Sequence, residues 1–88
     1  MRLELRGDTL VIFAKRPPML EKVNSDWILR KGNKVIRIPR FVSFLRLPSR
    51  GKCNKCGSPV DEVLKYDSQR DIWEHVKSIH RWKIGCKY

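Results

Sequence analysis

The sequence predicts a small α+β domain: a basic, β-hairpin-rich sheet over residues 1–50, then a ββα unit over residues 51–88. Three observations lead there. Two tight-turn pairs, Gly7-Asp8 and Gly32-Asn33, each sit between β-rich runs. Cys53 and Cys56 stand two residues apart, and His75 and His80 follow four residues apart. Between and around those histidines, Ile72, Val76 and Ile79 recur at i, i+4 and i+7, the spacing of one helix face.

In chain order, Leu3 and Leu5 alternate with Arg2, Glu4 and Arg6, and Thr9-Leu10-Val11-Ile12-Phe13-Ala14 returns after Gly7-Asp8. Pro17-Pro18 closes this hairpin. The connection from Met19 to Asp26 has apolar spacing that suits one helical turn, through Met19, Leu20 and Val23. Trp27 to Lys31 and Lys34 to Ile38 flank Gly32-Asn33 as a second hairpin, which Pro39 stops. Phe41, Phe44 and Leu45 at i, i+3, i+4 suggest a short amphipathic helix before Pro48, with a strand as the near alternative. Pro48-Ser49-Arg50-Gly51-Lys52 is a turn-rich joint leading into the cysteines. Asp67 or Ser68 then caps a helix that carries both histidines, with Asp71 and Glu74 near its positive end.

C-x2-C-x18-H-x4-H is a donor set for one structural metal ion. Two thiolates on a tight turn and two imidazoles on one helix face can close a tetrahedron, and zinc suits both donor types. A chain of 88 residues benefits from such a staple, because so short a chain buries little core. The alternative of a redox dithiol fits poorly, since Gly57-Ser58-Pro59 is a turn where a thioredoxin-like motif opens a helix. Cys86 is the odd cysteine; it is either a free thiol or a replacement for His80 in a Cys3His set.

Residues 53–80 resemble a Cys2His2 zinc finger, the ββα module of many transcription factors. Ile72 lies three before the first histidine and Val60 four after the second cysteine, where that family has apolar residues. The interval between Cys56 and His75 is eighteen residues, longer than the family's usual twelve or so. The resemblance implies a base-facing helix surface at Ser68, Asp71 and Glu74, with Arg70 beside it. Two of these are carboxylates, which repel phosphate, so the finger reads better as a scaffold than as the main reader.

Charge points to the surface that would hold a polyanion. The formal net charge is +11. Residues 1–52 hold 13 Lys/Arg against 4 Asp/Glu, and Trp27 through Val60 contains no acidic residue. Arg30, Lys31, Lys34, Arg37, Arg40, Arg46, Arg50, Lys52 and Lys55 occupy that stretch, and Arg70, Lys77, Arg81 and Lys83 extend it. Nucleic-acid phosphate is the expected counter-charge, DNA ahead of RNA.

The functional expectation is therefore a zinc-binding, DNA-binding regulator. A ribonucleoprotein component, or an adaptor contacting a protein through Trp73 and the Asp71/Glu74 face, is the alternative. One Gln and one Thr, against abundant Lys, Arg and Ile, point to a thermophilic source and so to a small archaeal or viral regulator. Trp82 is read as a base-stacking or finger-packing residue. No catalytic constellation stands out, and Asp61-Glu62 reads as a surface pair, so no enzyme is expected. With an odd cysteine count and no apolar leader or span, an intracellular, reducing setting is expected.

Overall fold

Gly7-Asp8 and Gly32-Asn33 turn the chain back on itself, as their hairpin chemistry requires. In the computed structural model, which describes residues 2–81, β1 (Arg2–Arg6) pairs antiparallel with β2 (Thr9–Phe13) across the first turn. Then β3 (Met19–Val23), β4 (Asp26–Lys31) and β5 (Lys34–Arg37) form a three-stranded antiparallel meander. The second half is β6 (Phe44–Lys52), β7 (Pro59–Asp67) and β8 (Ile72–His80). These three join the first hairpin in a five-stranded sheet of order β1-β2-β6-β7-β8, in which β2 and β6 run parallel.

The described residues are all-β, which corrects the expected α+β class: there is no ββα helix. The segment expected as the metal-bearing helix is β8, hydrogen-bonded to β7 from Asp67↔Ile72 to Val60↔His80. A bulge explains the helix-like spacing. The register passes from Leu64↔His75 to Val63↔Lys77, which leaves Val76 as the extra residue. In an unbroken strand, positions seven apart face opposite ways; one inserted residue puts Ile72 and Ile79 on the same face. A bulged strand thereby reproduces the i, i+4, i+7 pattern of a helix. Ile, Trp and Val also favour a pleated surface once β7 offers a ladder to join.

Two further expectations are corrected. Met19–Val23 is a strand, not a helical turn. Asn24 and Ser25 close its hairpin with φ values of 50° and 72°, the left-handed pair that a two-residue turn needs. Phe44 and Leu45 open β6, so the helix expected around Phe41, Phe44 and Leu45 is replaced by the near alternative, a strand. Pro48 lies inside β6 opposite Asp61, where the ladder shifts register before Lys52. The 50/51 boundary drawn from sequence therefore falls within β6.

The core lies between the two sheets. Leu10, Ile12, Leu45 and Leu47 from the larger sheet meet Leu29, Ile38 and Val42, and Trp27, Leu64 and Trp73 pack around them. Cross-strand register puts Leu10, Leu45, Leu64 and His75 in one row on that inner face. The outer face carries Val11, Arg46, Val63 and Lys77 in the adjacent row. Among the described residues, no helix is long and apolar enough to cross a membrane.

Candidate metal centre

The cysteines occupy the turn between β6 and β7. Cys53 N–H donates to the Ser58 carbonyl at 2.8 Å, and Gly57 N–H donates back to the Cys53 carbonyl at 2.8 Å. Gly57 sits at φ 70°, a conformation that side-chain-bearing residues avoid, so the knuckle depends on glycine there. Folding back in this way brings both sulfurs to the end of β8, where His80 is the last strand residue. The ligand atoms of Cys53, Cys56 and His80 all lie within 4.8 Å of one another, and Cys56 Sγ is 3.3 Å from His80 Nε2. Around tetrahedral zinc, neighbouring S and N donors stand about 3.5–3.8 Å apart, given bond lengths of about 2.3 and 2.0 Å. The three donors can hold a metal ion.

His75, the fourth ligand expected from sequence, is not brought to this cluster. It lies five residues before His80 on an extended strand, opposite Leu64, and its Nε2 is 3.1 Å from Ser78 Oγ. A helix would have advanced about 1.5 Å per residue over that interval, whereas a strand advances about 3.3 Å. The predicted histidine pair thus needs the helix that the bulged strand replaces. Cys86, the alternative ligand, lies outside the described residues, as do Trp82 and Lys83.

The electrostatics favour the metal-binding thiolate form of the two cysteines, whereas the same thiolates hold His80 toward its protonated form, a proton that a metal ion would displace. The side chain and backbone N–H of Ser58 bring the Cys56 thiol down to about 6, helped by Cys53 and His80. Backbone N–H groups of Cys56 and Lys55 lower Cys53, and the two cysteines raise His80. In the metal-free chain, the Cys56 thiolate therefore forms as pH rises through about 6 and is lost below it. Iodoacetamide labelling of Cys56 should reach half its plateau rate near that pH, not above 8 like an ordinary cysteine. A half-point above 8 would show that the Ser58 hydroxyl and backbone N–H do not engage the sulfur.

Behind the cluster lies a residue that the sequence hid. Asp61, expected on the surface, is buried at 5% exposure. It takes two arginines at once: Arg46 Nε donates to Oδ2 at 3.0 Å and Arg81 Nε to Oδ1 at 2.9 Å. Each guanidinium also reaches a carbonyl, Arg46 that of His80 at 3.4 Å and Arg81 that of Ser49 at 3.2 Å. Arg81 N–H donates to the Pro59 carbonyl at 3.0 Å. Asp61 thus ties β6, β7 and the end of β8 together directly beside His80. The one sequence signal was its period-2 alternation with buried Val63 in a β-rich run.

The cations expected to meet nucleic acid divide into two groups. Arg46 and Arg81 are engaged by Asp61, and Arg70 by Asp67 (2.7 Å) and Glu74. Arg30 pairs with Glu21 at 3.3 Å, and Arg37 and Arg40 lie 3.6 and 3.9 Å from Asp26. Among the described residues, Lys31, Lys34, Arg50, Lys52, Lys55 and Lys77 have no carboxylate within ion-pair distance. Arg50, Lys52 and Lys55 are exposed and flank the cysteine knuckle. Lys31 and Lys34 flank the β4–β5 turn. Trp73, the partner-facing residue of the adaptor alternative, packs against the core. The base-facing row expected at Ser68, Asp71 and Glu74 does not form a helix face, since Ser68 and Asp71 lie in the β7–β8 turn and Glu74 on β8.

No protein-family profile, curated protein or solved structure matches the chain. The resemblance to a Cys2His2 finger therefore reduces to the shared ligand chemistry of Cys53, Cys56 and His80.

Proposed function

We propose that the chain is a zinc-binding, nucleic-acid-binding protein in which the metal fixes a β-hairpin knuckle that presents cations to phosphate. The observation that carries this reading is the placement of Arg50, Lys52 and Lys55. They are exposed, pair with no carboxylate among the described residues, and adjoin Cys53 and Cys56 in the β6–β7 turn and its flank. Cations left unanswered on one protruding hairpin, in a chain of net charge +11, attract a polyanion at long range. Zinc is the metal of choice for a mixed thiolate and imidazole set in a structural role. A β-ribbon can lie in a groove or follow a backbone, which leaves DNA-binding regulation as the leading role.

Salt titration tests it. Three phosphate contacts on duplex DNA give a log–log slope of about −2.7, so affinity should fall roughly 40-fold between about 50 and 200 mM salt. Fluorescence anisotropy with labelled duplex DNA, single-stranded DNA and RNA reads this directly. Replacing Arg50, Lys52 and Lys55 together by alanine should remove most of the slope. No binding to any of the three at low salt, or an unchanged slope in the triple variant, overturns the reading.

A further inference from the structure

Away from the knuckle, the two sheets part to leave a cavity of about 450 Å³. That volume lies within the range of small-ligand sites. Its floor is apolar, from Ile38 and Val42, and its walls are Trp27, Tyr66 and Trp73. The aromatic rings are already in mutual contact. Trp27 and Trp73 meet edge to face at 6.5 Å, and Tyr66 and Trp73 lie tilted at 5.2 Å.

The polar groups around these rings are specific. Asp71, at φ 54° in the β7–β8 turn, accepts from the Trp27 indole N–H at 3.2 Å, from the Tyr66 hydroxyl and from Lys22. It locks two wall residues in place and takes three of the roughly four lone-pair sites of a carboxylate. Asp26, on the same wall, is held among the described residues by the looser Arg37 and Arg40 pairs and retains acceptor capacity there. The Trp73 indole N–H is shielded from solvent and has no acceptor among the described residues. Such orphan donors are rare in folded proteins. Lys22 and Arg40 stand on the cavity lining as cations.

We infer that this cavity takes one base of a single-stranded nucleic acid, with the adjoining phosphate held by Arg40 and Lys22. The inference rests on the nucleic-acid reading above and gives it a second contact point. Each part has a counterpart in a nucleotide. Aromatic walls stack on the face of any base, and Asp26 accepts from an exocyclic or ring N–H, as carboxylates do from cytosine N4. Duplexes keep their bases stacked and paired, so the cavity favours single strands. An aromatic pocket with carboxylates also suits an organic cation. Here, though, Lys22 already seats its own ammonium at Asp71, and the chain's charge of +11 repels a second cation.

Indole N–H resonances report occupancy of the cavity on the intact, metal-loaded chain. Trp27→Phe and Trp73→Phe assign the two signals. Titration with cytidine, adenosine, guanosine or uridine 5′-monophosphate should shift both, whereas inorganic phosphate alone should not. Asp26→Asn, which keeps the side chain's shape, should weaken the amino-bearing nucleotides about tenfold and uridine monophosphate less. Unmoved indole signals with every nucleotide overturn the assignment, as do larger shifts with tetramethylammonium than with any nucleotide. If those signals stay fixed while labelled oligonucleotide still binds through Arg50, Lys52 and Lys55, the cavity is no base site and the knuckle reading stands. If the signals shift but no oligonucleotide binds, the knuckle reading and the single-strand assignment both fail, and the cavity is a site for free nucleotides only.

Discussion

Replacing Asp61 by alanine should cost the fold about 3 kcal/mol, the lower end of the range for breaking a buried ion pair. The lower end applies because Arg46 and Arg81 keep 24% and 22% of their side-chain surface in water, which relieves part of the lost pairing. The substitution leaves two guanidinium groups facing each other across the site of the missing carboxylate. Against a total stability of about 5–15 kcal/mol, such a loss is severe. Urea unfolding at fixed zinc concentration measures it as a shift in midpoint at constant slope. The same change should weaken zinc about 10–100-fold, since Arg46 would no longer be fixed while it holds the His80 carbonyl. A loss below about 1 kcal/mol would mean that the two arginines find other partners, and the clamp would then have no structural role.

The second large effect separates the two histidines. His80→Ala should lower zinc affinity by more than about 100-fold, beyond the usual cost of losing an outer hydrogen-bond partner to a ligand. His75→Ala should leave it within about twofold, as for an ordinary surface change. Competition against a chromogenic chelator reads both. The reverse ranking would mean that the end of β8 rearranges to bring the C-x2-C-x18-H-x4-H set together. Cobalt in place of zinc adds a count of thiolates, because the charge-transfer band grows with each sulfur bound. A Cys86→Ser variant that loses about a third of that band identifies a Cys3His site; an unchanged band leaves Cys53, Cys56 and His80 with a water. Because zinc binding is worth about 10–16 kcal/mol in small finger peptides, chelator should also disorder the knuckle in the wild-type chain.

Local chemistry made much of this legible. Gly7-Asp8 and Gly32-Asn33 located two hairpins because two-residue turns demand such residues, and the register Arg6↔Thr9 and Lys31↔Lys34 follows from them. The Cys53/Cys56 pair located the candidate metal site, because two thiols so close in the chain stay close in any fold. Non-local pairing hid the rest. Nothing near residues 72–80 announces that β7 will supply a ladder, and the Val76 bulge disguises a strand as a helix. With the wrong period, His75 and His80 appear on one face, whereas the bulged strand brings only His80 to the two cysteines. Asp61 was missed because its partners lie 15 and 20 residues away, where composition reveals nothing about convergence. The basic stretch from Arg30 to Lys55 was visible as charge, but its division into ion-paired and unpaired cations depends on where nine carboxylates fold.

The parallel union of β2 with β6 also sets the order in which the molecule can be assembled. Thr9, Leu10 and Val11 wait for Phe44, Leu45 and Arg46, with the whole β3–β5 meander produced in between. Until β6 emerges from the ribosome, one side of β2 is a bare edge carrying Leu10, Val11 and Ile12, three side chains that end up buried. Such an edge invites pairing with a neighbouring nascent chain. The Cys53/Cys56/His80 donor set is complete only later still, once His80 is made, so a metal ion held there could seal the sheet but not begin it.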